Sequence, residues 1–122
     1  MTVSNIRTRD NYQVYADQLW ARQSFDAGVN VRGRKVENAA GIDTGRMPLP
    51  WAETFRDQEM EIQFIVWSYD TPIAWLLDTG EWVVPQHDYS PTTTKHVGTV
   101  RRAIASLGDK AHYTMATLYD VA

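Results

Sequence analysis

The chain has 122 residues and a formal net charge of −3, with 43% hydrophobic and 22% charged residues, a balance that fits one folded domain rather than a disordered chain. It contains no cysteine, which excludes disulfides, thiolate nucleophiles and cysteine-bound zinc or iron–sulfur centres. The mild acidity argues against broad nucleic-acid binding, and no run approaches the roughly 18 apolar residues of a membrane-spanning helix.

Residues 1–11 are polar and expected to be loose. Their arginines have no apolar run behind them, so they do not form a secretory signal, and a cytosolic protein is expected. From Tyr12 a strand or a short helix fits. Gln18 to Phe25 reads as a strand, closed by a turn signal at Asp26-Ala-Gly28. Val29 to Val36 alternates, with Val29 and Val31 opposite Asn30, Arg32 and Arg34, which predicts a half-exposed strand with Gly33 as a bulge. Residues 37–48 carry Gly41 and Gly45 among small polar residues and read as a mobile loop. Pro50 then suits the start of a short helix, with Glu53 in its first turn and Trp51 and Phe55 four apart on one face.

Ile62 to Tyr69 carries the strongest strand signal. Ile62, Phe64 and Val66 alternate with Ile65, Trp67 and Tyr69, so both faces are apolar. Such a strand is covered on both sides, or covered once and paired with a second subunit. Pro72 interrupts it, and Ile73 to Leu77 resumes as a strand. Asp78-Thr-Gly80 makes a tight hairpin, and Glu81 to Val84 returns until Pro85. These three strands form an antiparallel meander, because the loops are too short for crossovers. Thr93 or Thr94 is expected to cap a helix running to about Leu107, with Val97, Val100, Ile104 and Leu107 buried and Gly108 ending it. Ala111 to Val121 alternates as a last strand. The expected fold is a single α+β domain over residues 1–122: a mainly antiparallel sheet of about five or six strands, covered by the C-terminal helix and the short second helix. The doubly apolar strand and an open edge strand lead to the expectation of a homo-oligomer, a dimer in the simplest case.

Five groups of residues bear on chemistry. Tyr89, Ser90, Thr92, Thr93, Thr94, Lys95 and His96 gather hydroxyls and cations at a helix start, which suits an anion or phosphate. Capping and turn hydrogen bonds are the plainer explanation, yet one or two hydroxyls suffice for a cap. Tyr69, Thr71 and Trp75 could stack a ring, against the plainer reading of core and turn residues. His87, His96 and His112 have irregular spacing, and no metal site is expected. The carboxylates Glu59 and Glu61, and Asp78 and Glu81, look like solvated faces. Arg32, Arg34 and Lys35 would join Lys95, Arg101 and Arg102 in one basic patch if their elements are neighbours.

Three blocks occur in order at close spacing: Trp67-Ser-Tyr-Asp-Thr-Pro-Ile-Ala-Trp75, Trp82-Val-Val-Pro85 and Tyr89-Ser-Pro-Thr-Thr-Thr-Lys-His96. In these the chain resembles a family of short, largely uncharacterised proteins encoded by bacteriophages and prophages, many from actinobacterial hosts. The resemblance covers about a third of the chain, and Pro91 departs from the aliphatic residue usual there. It implies an accessory phage protein in the cytoplasm of an infected bacterium and carries no activity with it. The leading expectation is a non-enzymatic binder of a phosphate-containing small molecule, such as a nucleotide-derived immune signal. It would use Tyr69, Thr71, the Tyr89 to His96 loop and Arg101, with no cofactor. The alternatives are a protein-binding inhibitor of a host factor, and a nucleotide-processing enzyme with His96 as acid or base.

Overall fold

The computed structural model describes residues 4–6, 24–27, 30–85, 90–105 and 112–116. They form one seven-stranded sheet whose spatial order follows the chain: β1 Ser4–Ile6, β2 Phe25–Ala27, β3 Val31–Lys35, β4 Ile62–Ser68, β5 Thr71–Leu77, β6 Glu81–Pro85 and β7 His112–Ala116. The five strands from β2 to β6 are antiparallel neighbours. β1 and β7 flank them, each parallel to the strand beside it. Helix α1, Leu49–Asp57, follows β3, and helix α2, Pro91–Ala105, connects β6 to β7. This is the α+β architecture the residue pattern predicts, with more strands at the margins. Among the described residues no helix is long and apolar enough to cross a membrane.

The central strands are buried on both faces because a separate layer covers each. On one face Phe25, Val31, Phe64, Val66, Leu76, Trp82 and Val84 pack with Val97, Val100, Ala103 and Ile104 of α2. On the other, Ile62, Ile65, Trp67, Trp75 and Val83 pack with Trp51 and Phe55 of α1 and with Ala39 and Met47 of the loop before it. β4 is therefore covered twice within one chain. Trp75 is fully buried, meets Phe55 edge-on at 5.0 Å between ring centres, and donates its indole N–H to Gln58 Oε1 at 2.8 Å. Truncating a residue packed in this way costs about 3–5 kcal/mol.

Several local expectations change. Ile62 faces the α1 layer with Ile65 and Trp67, because the register shifts between Ile62 and Phe64 and the extra residue, Gln63, turns it over. A second shift, between Val66 and Trp67, leaves Ile73 unpaired and turns it to the α2 side. Pro72 lies inside β5 rather than breaking the sheet, and it pairs with Trp67 at that irregular point, where its missing N–H costs no regular ladder bond. Ser4–Ile6, in the stretch read as loose, forms β1 by backbone pairing along β2, which needs no side-chain pattern. Asp26 and Ala27 are strand rather than turn: Asp26 is held by Arg34 at 2.8 Å. Gly33 is in regular register, not a bulge; a Cβ there would lie 2.3 Å from the buried Phe25 ring. Helix α1 begins at Leu49, so Glu53 falls beyond its first turn. The readings at Tyr12, Gly28 and Gly108 lie outside the described residues.

Candidate functional site

The sheet ends in a cleft of about 850 Å³ where β4 turns into β5. Three segments enclose it: the hairpin from Trp67 to Thr71, the loop from Gly41 to Arg46, and the first turn of α2, with Arg32 of β3 at the side.

The α2 wall follows from its local sequence. Ser90 caps the helix: its Oγ accepts the Thr93 N–H at 3.3 Å and its carbonyl accepts the Thr94 N–H at 2.9 Å. Pro91, which has no N–H to satisfy, is the first helical residue. The helix thus starts before Thr93 and Thr94, the caps expected from residue type. Ser90 and Thr92 are exposed in the cleft, where the helix presents its positive end.

The hairpin wall holds a chain of three side chains. Ser68 Oγ lies 2.7 Å from His96 Nδ1 and 3.1 Å from Thr93 Oγ1. Burial disfavours the imidazolium and lowers the His96 pKa below its ordinary value of about 6.5, so the ring is neutral at pH 7. Ser68 lines the cleft but is only 1% exposed, with its hydroxyl held by His96 and Thr93. Tyr69 is 47% exposed, and its ring sits 6.1 Å from the His96 ring. Its backbone has φ of 55°, the one positive φ at a non-glycine residue among those described.

The loop wall is pinned to the hairpin. Thr71 Oγ1 accepts the Arg46 N–H at 2.8 Å, and Asp43 Oδ1 accepts the Gly45 N–H at 2.7 Å. Gly45 has φ of 58°, and a Cβ there would stand 2.5 Å from the Asp70 carbonyl oxygen. Arg32 pairs with Trp67 across the strands, lies 4.7 Å above its ring, and donates to the Tyr69 carbonyl at 3.5 Å. Among the described residues Arg32 and Arg46 have no carboxylate within ion-pair distance, whereas Arg34 pairs with Asp26 at 2.8 Å and Arg56 with Glu59 at 3.1 Å. Asp43 and Asp70 also line the cleft and offset the two arginines in formal charge. The helix start therefore tips one side toward anions, while the carboxylates suit hydroxyl donors such as sugar.

Of the residues singled out from sequence, Tyr69, Thr71, Ser90, Thr92 and Thr93 line the cleft, and His96 reaches it through Ser68. Thr71 and Thr93 are buried and already hydrogen-bonded, so their role there is structural first. Thr94, Lys95 and Arg101 do not line it; Arg101 is ten residues along α2 from Pro91, about 15 Å. Tyr89 and His87 lie outside the described residues. The basic patch does not assemble at the cleft, because Arg34 is tied to Asp26 and only Arg32 of that set lines it. Sequence reasoning missed Asp43, Arg46, Ser68 and Asp70. The turn residues Asp43-Thr-Gly45 are the one signal that could have marked the loop as shaped rather than slack. Among the described residues no three His, Asp or Glu gather as metal ligands.

The chain belongs to a family of unknown function, DUF8033, whose model matches residues 1–114. No curated protein and no solved structure matches it significantly.

Proposed function

We propose that this protein binds a phosphate-containing small molecule without processing it. One observation carries the reading: a single cleft gathers the start of α2 with two arginines, Arg32 and Arg46, that have no carboxylate partner among the described residues. Those groups supply directed N–H and O–H donors and positive charge on one side of an enclosed space. The covered hydroxyl of Ser68 supports binding over catalysis, because the candidate nucleophile beside His96 is 1% exposed. The resemblance to short phage and prophage proteins supplies the setting: an accessory protein in the cytoplasm of an infected bacterium, sequestering a nucleotide-derived immune signal.

A thermal-shift screen of the purified chain against nucleotides, cyclic nucleotides and ADP-ribose derivatives tests this. A ligand at about 100 times its Kd stabilises the fold by about 2.7 kcal/mol. Arg32→Ala and Arg46→Ala should each reduce the shift. Light scattering on the same sample tests for the dimer that the edge strands β1 and β7 would allow. A flat screen would move the reading to a protein-binding inhibitor, which the exposed Leu49 at the start of α1 and Met60 just after that helix favour; a stoichiometric partner captured from host lysate would establish it.

A further inference from the structure

We infer that Tyr69 is the specificity-determining residue of the cleft, and that it selects ligands carrying a planar ring; this rests on the phosphate-binding reading above. Position 69 opens a two-residue hairpin turn and has φ of 55°. Turns of this kind take Gly, Asn or Asp where φ is positive, because a Cβ crowds the following carbonyl. A tyrosine there is strained, and the residue is left 47% exposed. Two choices that both oppose stability fall on one residue, and that residue lines the cleft. Strain kept in place by its surroundings is a mark of a functional position.

The surroundings are visible. The Tyr69 N–H donates to the Asn30 carbonyl at 2.7 Å, and its own carbonyl accepts from Arg32. The backbone is held by Arg32 of β3 and by Asn30 just before it, and the residue lines the cleft. The His96 ring lies 6.1 Å from the Tyr69 ring, and Tyr69 is 47% exposed at the cleft. An exposed aromatic side chain on that wall can stack a nucleobase, because every base has a π-face.

The test uses the full chain and two probes, AMP and ribose 5-phosphate, which differ by the base. By calorimetry the wild type should bind AMP at least tenfold more tightly. Tyr69→Gly and Tyr69→Asn should erase that difference and leave the ribose 5-phosphate affinity within twofold. Both residues tolerate positive φ, so both variants should fold, with Tyr69→Gly melting a few degrees higher than wild type. A lower melting temperature for Tyr69→Gly would overturn the strain argument. Equal binding of the two probes by wild type, or an AMP preference that survives both substitutions, would overturn the inference while phosphate binding stood. If neither probe binds the wild type, this inference fails, and the phosphate reading fails with it where the wider nucleotide screen is also flat.

Discussion

Two hairpin turns follow one another along the sheet, and they are built on opposite terms. The turn from β5 to β6 is Asp78-Thr79-Gly80. Its glycine takes φ of 90°, and the Gly80 N–H closes on the Leu77 carbonyl at 2.9 Å. The turn from β4 to β5 is Tyr69-Asp70. Its positive φ falls on a tyrosine, whose N–H leaves the turn to bond Asn30 near β3. The first turn is determined by its own residues, and the second is held by its neighbours. Only the second lines the cleft. A turn that local chemistry already favours has its side chains spare; a turn imposed from outside keeps a residue that folding alone would replace.

Glycine substitutions sharpen this contrast. The largest effect is expected at Gly45, where the loop meets the imposed turn. An alanine there meets positive φ and the Asp70 carbonyl together, and should cost about 3 kcal/mol in urea unfolding. Because the clash is with backbone, the loop must lift from Thr71, and ligand binding should fall as well. Gly80→Ala should cost about 1–2 kcal/mol from φ alone and leave ligand binding unchanged. A loss of binding with Gly80→Ala would break the distinction between the two turns.

Tyr69→Gly should move stability the other way, by about 1 kcal/mol, since it relieves what Gly80→Ala creates. Gly98→Ala calibrates that gain. Position 98 is inside α2, and a Cβ there has nothing within 4 Å, so the substitution should stabilise by about 0.5–1 kcal/mol through helix propensity. It should leave probe binding unaltered. If Tyr69→Gly stabilises no more than an ordinary exposed substitution, within about 0.5 kcal/mol, position 69 is not strained.

The same contrast explains what could be read from the chain alone. The meander from β4 to β6 was legible from its apolar runs and the Asp78-Thr-Gly80 turn, although Pro72 lies inside β5 and Pro85 is the last residue of β6 rather than a stop after it, and α1 and α2 were legible because their apolar stripes keep helical spacing. The bulges at Gln63 and Ile73 were not legible: they arise from how neighbouring strands fit, and neither residue type announces one. β1 escaped notice because three residues pairing through backbone leave no pattern. At the cleft, the hydroxyl-rich helix start and Tyr69 stand out from local chemistry, and Tyr69, Ser90, Thr92 and Thr93 line it. Arg46 and Asp43 come from a loop some 25 residues before the hairpin they meet, and no local feature joins them. Arg101 is near the helix start in sequence, but helical rise carries it away from the cleft.

His96 connects the imposed turn to pH. Its pKa is lowered by burial, so the folded protein resists protonation where the unfolded chain, near the ordinary 6.5, accepts it. Above that value both states are neutral and the group contributes nothing to pH dependence. As pH falls through 6.5 the unfolded state gains the proton first, and stability declines until pH passes below the folded pKa. His96→Asn places an amide near Nδ1 with nothing to titrate, so the difference in unfolding free energy between wild type and variant should slope in this window and flatten above it. Parallel curves would show that the imidazole is not desolvated. Tyr69 sharpens the experiment, because its ring covers part of His96. Removing that ring in Tyr69→Gly readmits water, and the His96 pKa should rise toward 6.5 in an NMR titration, whereas Gly80→Ala should leave it where it is. A single residue would then account for strain in the turn, the exposed wall of the cleft and part of the burial that lowers the pKa of the histidine beside it.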